Sequence, residues 1–139
     1  MYDITSMLTG GCYCGYLRYE TSGTPYHRTN CHCSICRRTT GAPFVTWFSV
    51  PRTTFQWQTG HPTRFNSTPK CARCFCPVCG AQLTFENEDV PEEIDIATSS
   101  LDDPEVAPPE DHTRTSSRLG WISLNDGLPQ HREERREKN

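Results

Sequence analysis

Nine cysteines in 139 residues fall into three groups. Cys12 and Cys14 sit one residue apart between glycines, in Gly10–Gly11–Cys12–Tyr13–Cys14–Gly15. Cys31, Cys33 and Cys36 form a compact trio. Cys71, Cys74, Cys76 and Cys79 make two adjacent pairs, the second within Cys76–Pro77–Val78–Cys79–Gly80. An odd count excludes a complete set of disulfides within one chain. Zinc in structural sites takes four tetrahedral thiolate or imidazole ligands. A pair of cysteines two residues apart offers two sulfurs to one side of such an ion, and a trailing glycine lets the backbone turn its amides toward them. Cys76 and Cys79 form the better knuckle, stiffened by Pro77 and turned by Gly80. Cys12 and Cys14, flanked by glycines, are its natural partner. These four are expected to hold a structural zinc that ties the start of the chain to its middle.

The trio implies a different chemistry. Three protein ligands with an open fourth position is the layout of a catalytic zinc. Cys31, Cys33 and Cys36 are therefore read as an open second zinc site. The alternative is a second structural site, closed by Cys71, Cys74 or His32. Three thiolates leave zinc a poor Lewis acid for activating water. Binding a substrate thiol as thiolate suits it better, because the metal lowers the thiol pKa while the sulfur stays reactive. Arg37 and Arg38 follow the trio and could offset its negative charge or hold a substrate carboxylate. His32 is a candidate base, or else a supporting or exposed histidine. Cys71 and Cys74 are expected to be spare, one buried as a small hydrophobe and one partly exposed.

The elements that must position these groups read as short strands. Gly15–Glu20, Phe44–Val50, Phe55–Trp57, Gln82–Glu86, Ile94–Thr98 and Trp121–Leu124 are aromatic or β-branched runs bounded by Gly, Pro, Asn and Asp. Ile94 and Ile96 alternate with Asp95, a half-buried strand pattern. Ser34–Thr40, ending at Gly41, is the best helix candidate. Asn87–Glu93 and Asp102–Ser117 read as exposed loops, the second long enough to carry function. Trp47 and Phe48 could line a pocket, though in a β segment such residues more often belong to the core. The expectation is a mainly β domain of small antiparallel sheets over residues 1–131, with a solvated charged tail at 132–139.

Composition narrows the function classes. The net charge of -3 and pI near 5.9 argue against a nucleic-acid groove, which needs a basic face. No run approaches the ~20 apolar residues of a membrane span. The N-terminal segment lacks the basic and apolar regions of a signal peptide. A cytoplasmic location follows as the expectation, and there clustered cysteines mean metal or catalysis before disulfides. A mean hydropathy of -0.70 implies a thin core that metal would reinforce.

Taken together, the motifs resemble the glutathione-dependent formaldehyde-activating enzyme family, also called centromere-protein-V-like. The carrying residues are Gly11–Cys12–Tyr13–Cys14–Gly15, Cys31–His32–Cys33–Ser34–Ile35–Cys36–Arg37 and Gly41. Phe75–Cys76–Pro77–Val78–Cys79–Gly80 and Ser100–Leu101–Asp102–Asp103–Pro104 continue the match, closed by His112, Trp121 and Asp126–Gly127–Leu128–Pro129. The resemblance implies an Mss-four-like fold and the same ligand split: Cys12, Cys14, Cys76 and Cys79 for structural zinc, Cys31, Cys33 and Cys36 for catalytic zinc. It also implies condensation of glutathione with formaldehyde to S-hydroxymethylglutathione, a carbon–sulfur lyase-class reaction on a small thiol and an aldehyde. The competing reading is a non-catalytic binding module with two structural zincs. Cys71 and Cys74 depart from the family pattern.

Overall fold

The computed structural model describes residues 7–135. Met1–Ser6, and Arg136–Asn139 of the sequence-read tail, lie outside the described residues. Ten strands and one short helix follow in chain order: β1 (Leu8–Gly11), β2 (Arg18–Thr21), β3 (Tyr26–Cys31), α1 (Ser34–Thr40), β4 (Val45–Pro51), β5 (Phe55–Thr59), β6 (Thr63–Thr68), β7 (Cys71–Phe75), β8 (Gln82–Asn87), β9 (Glu93–Ala97) and β10 (Asp111–Thr113). A three-stranded sheet runs β1-β2-β5, and a seven-stranded sheet runs β10-β3-β4-β9-β8-β7-β6. Pairing is antiparallel except between β10 and β3, which are parallel. The mainly β expectation holds, with one sheet wider than expected.

Period-two alternation gives the large sheet two unlike faces. Phe48 and Val50 of β4, Leu83 of β8, and Ile94 and Ile96 of β9 point to one side, where they meet Leu17, just before β2, and Tyr19 and Phe55 of the smaller sheet in one core cluster. Burying each such side chain contributes roughly 1.5–3 kcal/mol. Cys12 and Cys76 belong to the same cluster, so a metal held there would be anchored directly in the core. The small sheet packs tightly against the turn that follows β9 at Gly10: a Cβ there would lie 2.4 Å from both the Ser100 carbonyl oxygen and Tyr19 Oη.

Several expectations change. Asp102–Ser117 is not a simple exposed loop, because Asp111, His112 and Thr113 form the buried strand β10. Hydrogen bonding rather than hydropathy buries this polar triplet: its backbone pairs with β3, and Asp111 takes an ion pair from Arg135 at 2.7 Å. Asp102 accepts hydrogen bonds from Arg18 at 3.0 Å and Thr9 at 2.7 Å, pinning the Leu101–Pro104 turn to the small sheet. Asp103 caps the turn that follows by accepting from the Glu105 N–H. Trp121–Leu124 is not a strand. It has no neighbouring strand to pair with; its backbone closes a local turn, Ile122 N–H to Leu119 C=O, and Trp121 is 72% exposed. Of the segment read as a solvated tail, Arg132 and Glu133 accept backbone bonds from Ser116 and Arg114 and so pack on the domain.

Candidate metal centre

Two tight turns build the first site. Cys12 Sγ accepts from the Leu17 N–H at 3.2 Å, and Cys76 Sγ from the N–H groups of Val78 and Cys79 at 3.3 and 3.4 Å. Gly15 and Gly80 take φ of +86° and +83°, a region L-residues avoid, which lets each turn close behind its cysteines. All four sulfurs of Cys12, Cys14, Cys76 and Cys79 lie within 4.8 Å of one another. Cys12–Cys14 and Cys14–Cys76 are 3.6 and 3.7 Å apart. A tetrahedral zinc with Zn–S of ~2.3 Å would separate its sulfurs by ~3.8 Å. These cysteines are far too distant for disulfides, and their spacing, donor type and N–H···S bonds fit zinc. The Cys79 thiol is brought down to about 6, chiefly by the Ala81 N–H, which favours the ligating thiolate.

The second group gathers where β3 runs into α1. Cys31 ends β3, Cys33 is the helix N-cap, and Cys36 lies buried in the first turn. Cys33 Sγ accepts from the Cys36 N–H at 3.2 Å, and Cys36 Sγ lies 3.5 Å from Cys31 Sγ. Gly41 ends the helix in the left-handed region, φ 69°, as the sequence predicts. All three sulfurs lie within 4.8 Å of one another, and among the described residues no fourth histidine, cysteine or carboxylate joins them. Hydrogen bonds from Cys31 and Cys36, then the backbone N–H groups of Cys36 and Ile35, pull Cys33 down to about 2, while Cys33 and Cys36 push Cys31 up. The set is three sulfurs with one side free, a fit for zinc with an exchangeable position.

The arginine beside the trio is one that sequence reasoning missed. Arg37 is half-buried, Arg38 is exposed, and neither lines the cavity described below. Arg73 of β7 is 3% exposed and points both terminal nitrogens at Cys36 Sγ, 3.7 and 3.8 Å away. Ser67, Thr39 and Gln82 accept its remaining N–H groups, and its guanidinium lies 4.8 Å from the Phe85 ring centroid. It forms no carboxylate ion pair among the described residues, so its charge is directed at the sulfur cluster. The available signal was the Cys71–Ala72–Arg73–Cys74 alternation, which places Arg73 on the sheet face opposite Ala72 and Cys74.

His32 is fully buried and supports the trio from behind. Its Nε2 lies 3.0 Å from His112 Nδ1, and His112 Nε2 lies 2.7 Å from Asp126 Oδ2. The His112 hydrogen bond holds the Asp126 carboxyl below the usual range. The ionised Asp126 accepts from His112 Nε2, and the two imidazoles share one hydrogen bond between His32 Nε2 and His112 Nδ1. Burial lowers His32 to about 4, so its ring is neutral at pH 7. Of the placements the sequence allowed, exposure is excluded: His32 is buried behind the trio and does not line the cavity. Cys74 is buried and Cys71 half-buried, as expected of spare cysteines, and neither joins the trio.

The trio opens on a cavity of about 730 Å³, within the range that takes small ligands. Its floor is the second face of the large sheet. Trp47 walls it, while Phe48 turns into the core.

Comparisons with known proteins agree with this architecture. A family profile described as "Glutathione-dependent formaldehyde-activating enzyme" matches residues 7–117. A Halomonas elongata protein named "Putative glutathione-dependent formaldehyde-activating enzyme" is 27% identical over 127 residues, 85% of this chain and 81% of that protein. A Rhodobacter sphaeroides protein of known crystal structure shares the fold, with a TM-score of 0.59 at 19% identity, over 88% of this chain and 98% of the other.

Proposed function

The chain belongs to the glutathione-dependent formaldehyde-activating enzyme family, and on that premise we propose that it is a zinc-dependent enzyme of the carbon–sulfur lyase class. It adds a small thiol such as glutathione to an aldehyde such as formaldehyde, and reverses that addition. Cys12, Cys14, Cys76 and Cys79 are the ligands of a structural zinc; Cys31, Cys33 and Cys36 are those of a catalytic one.

The observation that carries this reading is the open side of the trio, facing a ligand-sized cavity. Zinc bound there would stabilise a substrate thiol as its thiolate without quenching the sulfur. The reaction balances without oxidant or reductant. The thiol loses its proton, a sulfur lone pair forms the S–C bond, the carbonyl π pair moves to oxygen, and oxygen ends with the proton. Arg73 offsets part of the negative charge that three protein thiolates and a fourth substrate sulfur would gather. The Asp126–His112–His32 chain fixes the segment between Cys31 and Cys33, and the aromatic cavity floor limits water around the reacting sulfur. The non-catalytic module with two closed zinc sites calls for a fourth ligand at the trio, and among the described residues none converges there.

The unpaired state of all nine cysteines supports a reducing, cytoplasmic setting. Among the described residues no helix is long and apolar enough to cross a membrane.

Exchange spectroscopy on glutathione, formaldehyde and zinc-loaded protein tests the proposal. Faster interconversion with the thiol adduct than in buffer, lost in Cys33→Ser while the fold persists, is the expected result. An unchanged exchange rate across a panel of small thiols would refute it.

A further inference from the structure

The large sheet carries an unused carboxylate on its cavity face. Ser49, Asp95, Phe85 and Arg73 are register partners across β4, β9, β8 and β7, so their side chains stand in one row on that face. All four line the cavity. Arg73 ends the row at the sulfur cluster. Asp95 lies two strands away, ~10 Å by strand spacing.

Asp95 is half-buried, and its Oδ1 accepts from Ser49 Oγ at 2.6 Å. It forms no ion pair among the described residues. The other charges of the cavity are largely satisfied. Glu93 takes the Tyr26 hydroxyl at 2.9 Å, and Glu134 is held by Arg114 at 2.7 Å. Arg135 is held by Asp111 at 2.7 Å. Trp47 and Phe85 close over β9 with ring centroids 6.2 Å apart, beside Asp95. A carboxylate next to aromatic rings is the chemistry that recognises an ammonium group.

We propose that Asp95, with Ser49, Trp47 and Phe85, is a specificity subsite for an ammonium group carried by the thiol substrate, two strands along the row from Arg73 and the sulfur cluster. This deepens the proposed reaction and rests on it. Burial, with smaller repulsion from Glu93 and Glu134, pushes the Asp95 carboxyl up to about 7, a cost that an incoming cation relieves.

The test is binding of two thiols to the full-length, zinc-loaded protein by calorimetry: glutathione, and its analogue lacking only the γ-glutamyl amino group. A charge-assisted hydrogen bond is worth ~10–100-fold in affinity. Wild type should therefore prefer glutathione by roughly tenfold or more, and Asp95→Asn should reduce that preference to near unity. Denaturant unfolding of the variant verifies that it folds, and Asp95→Glu should restore part of the preference. Equal binding of the two thiols by wild type, or a preference that survives in Asp95→Asn, overturns the subsite. An Asp95-dependent preference without any catalysed exchange supports the subsite and sinks the proposed reaction. Failure of folded, zinc-loaded protein to bind either thiol overturns both.

Discussion

Arg73→Met should weaken the second zinc site and leave the first untouched. The guanidinium lies 3.7 Å from Cys36 Sγ. At an effective dielectric of 20, a unit charge pair at that separation interacts by ~4 kcal/mol. Hydrogen bonds to charged groups measured by mutation are worth less, about 1.5–3 kcal/mol. Taking ~2 kcal/mol, zinc affinity at the trio should fall ~30-fold, inside the 10–100-fold span seen when groups supporting metal ligands are removed. Competition with a chromophoric chelator reads both sites at once. The tight phase should be unchanged and the weaker one displaced. Arg73→Lys keeps a charge but not the forked donors, and should fall between the two. Ser67, Thr39 and Gln82 lose a partner in either variant, so urea unfolding separates general destabilisation from a local effect. If the weaker phase of a folded Arg73→Met matches wild type within twofold, the assignment of Arg73 to the sulfur cluster is wrong.

Cys76→Ser should abolish the folded state, since structural zinc contributes ~10–16 kcal/mol against a total domain stability of roughly 5–15; native-like circular dichroism at 25 °C would contradict this. His112→Phe should cost ~1–3 kcal/mol in urea unfolding, because it leaves the buried His32 Nε2 without its partner; zinc stoichiometry should be unaffected. Asp95→Asn should change stability with pH in a fixed direction. The folded Asp95 carboxyl sits at about 7, above its ordinary value, so ionising it disfavours the fold; the penalty is absent below pH 4 and complete above pH 8. The variant should therefore gain ~1–4 kcal/mol over wild type between pH 4 and pH 8, and a gain that does not vary with pH would refute the reading.

The cysteine framework was legible because ligand chemistry fixes spacing. The knuckles and the trio come together where the motifs place them, and α1 with its Gly41 stop follows directly from local turn chemistry. The strands richest in aromatic and β-branched residues were also visible. What escaped was polar structure stabilised at long range. Residues 26–31 (Tyr-His-Arg-Thr-Asn-Cys) and 63–68 (Thr-Arg-Phe-Asn-Ser-Thr) carry almost no apolar alternation, yet form β3 and the edge strand β6 through backbone pairing. Three residues of β10 are buried by partners up to 84 positions away. Trp121–Leu124 shows the converse, since apolar composition without a neighbouring strand leaves a turn. Arg73 was hidden between four cysteines that drew the reading toward metal, and its role emerges only from register with Phe85 and the approach of Cys36.

Metal content per chain, measured by plasma emission before and after mild chelation on wild type and Cys33→Ser, tests the two-site arrangement most directly. Wild type should carry two zinc ions, one removed by the chelator with the fold intact, and folded Cys33→Ser should retain only the tight one. A folded wild type with no zinc, or a second zinc that Cys33→Ser keeps as firmly as wild type, would contradict it.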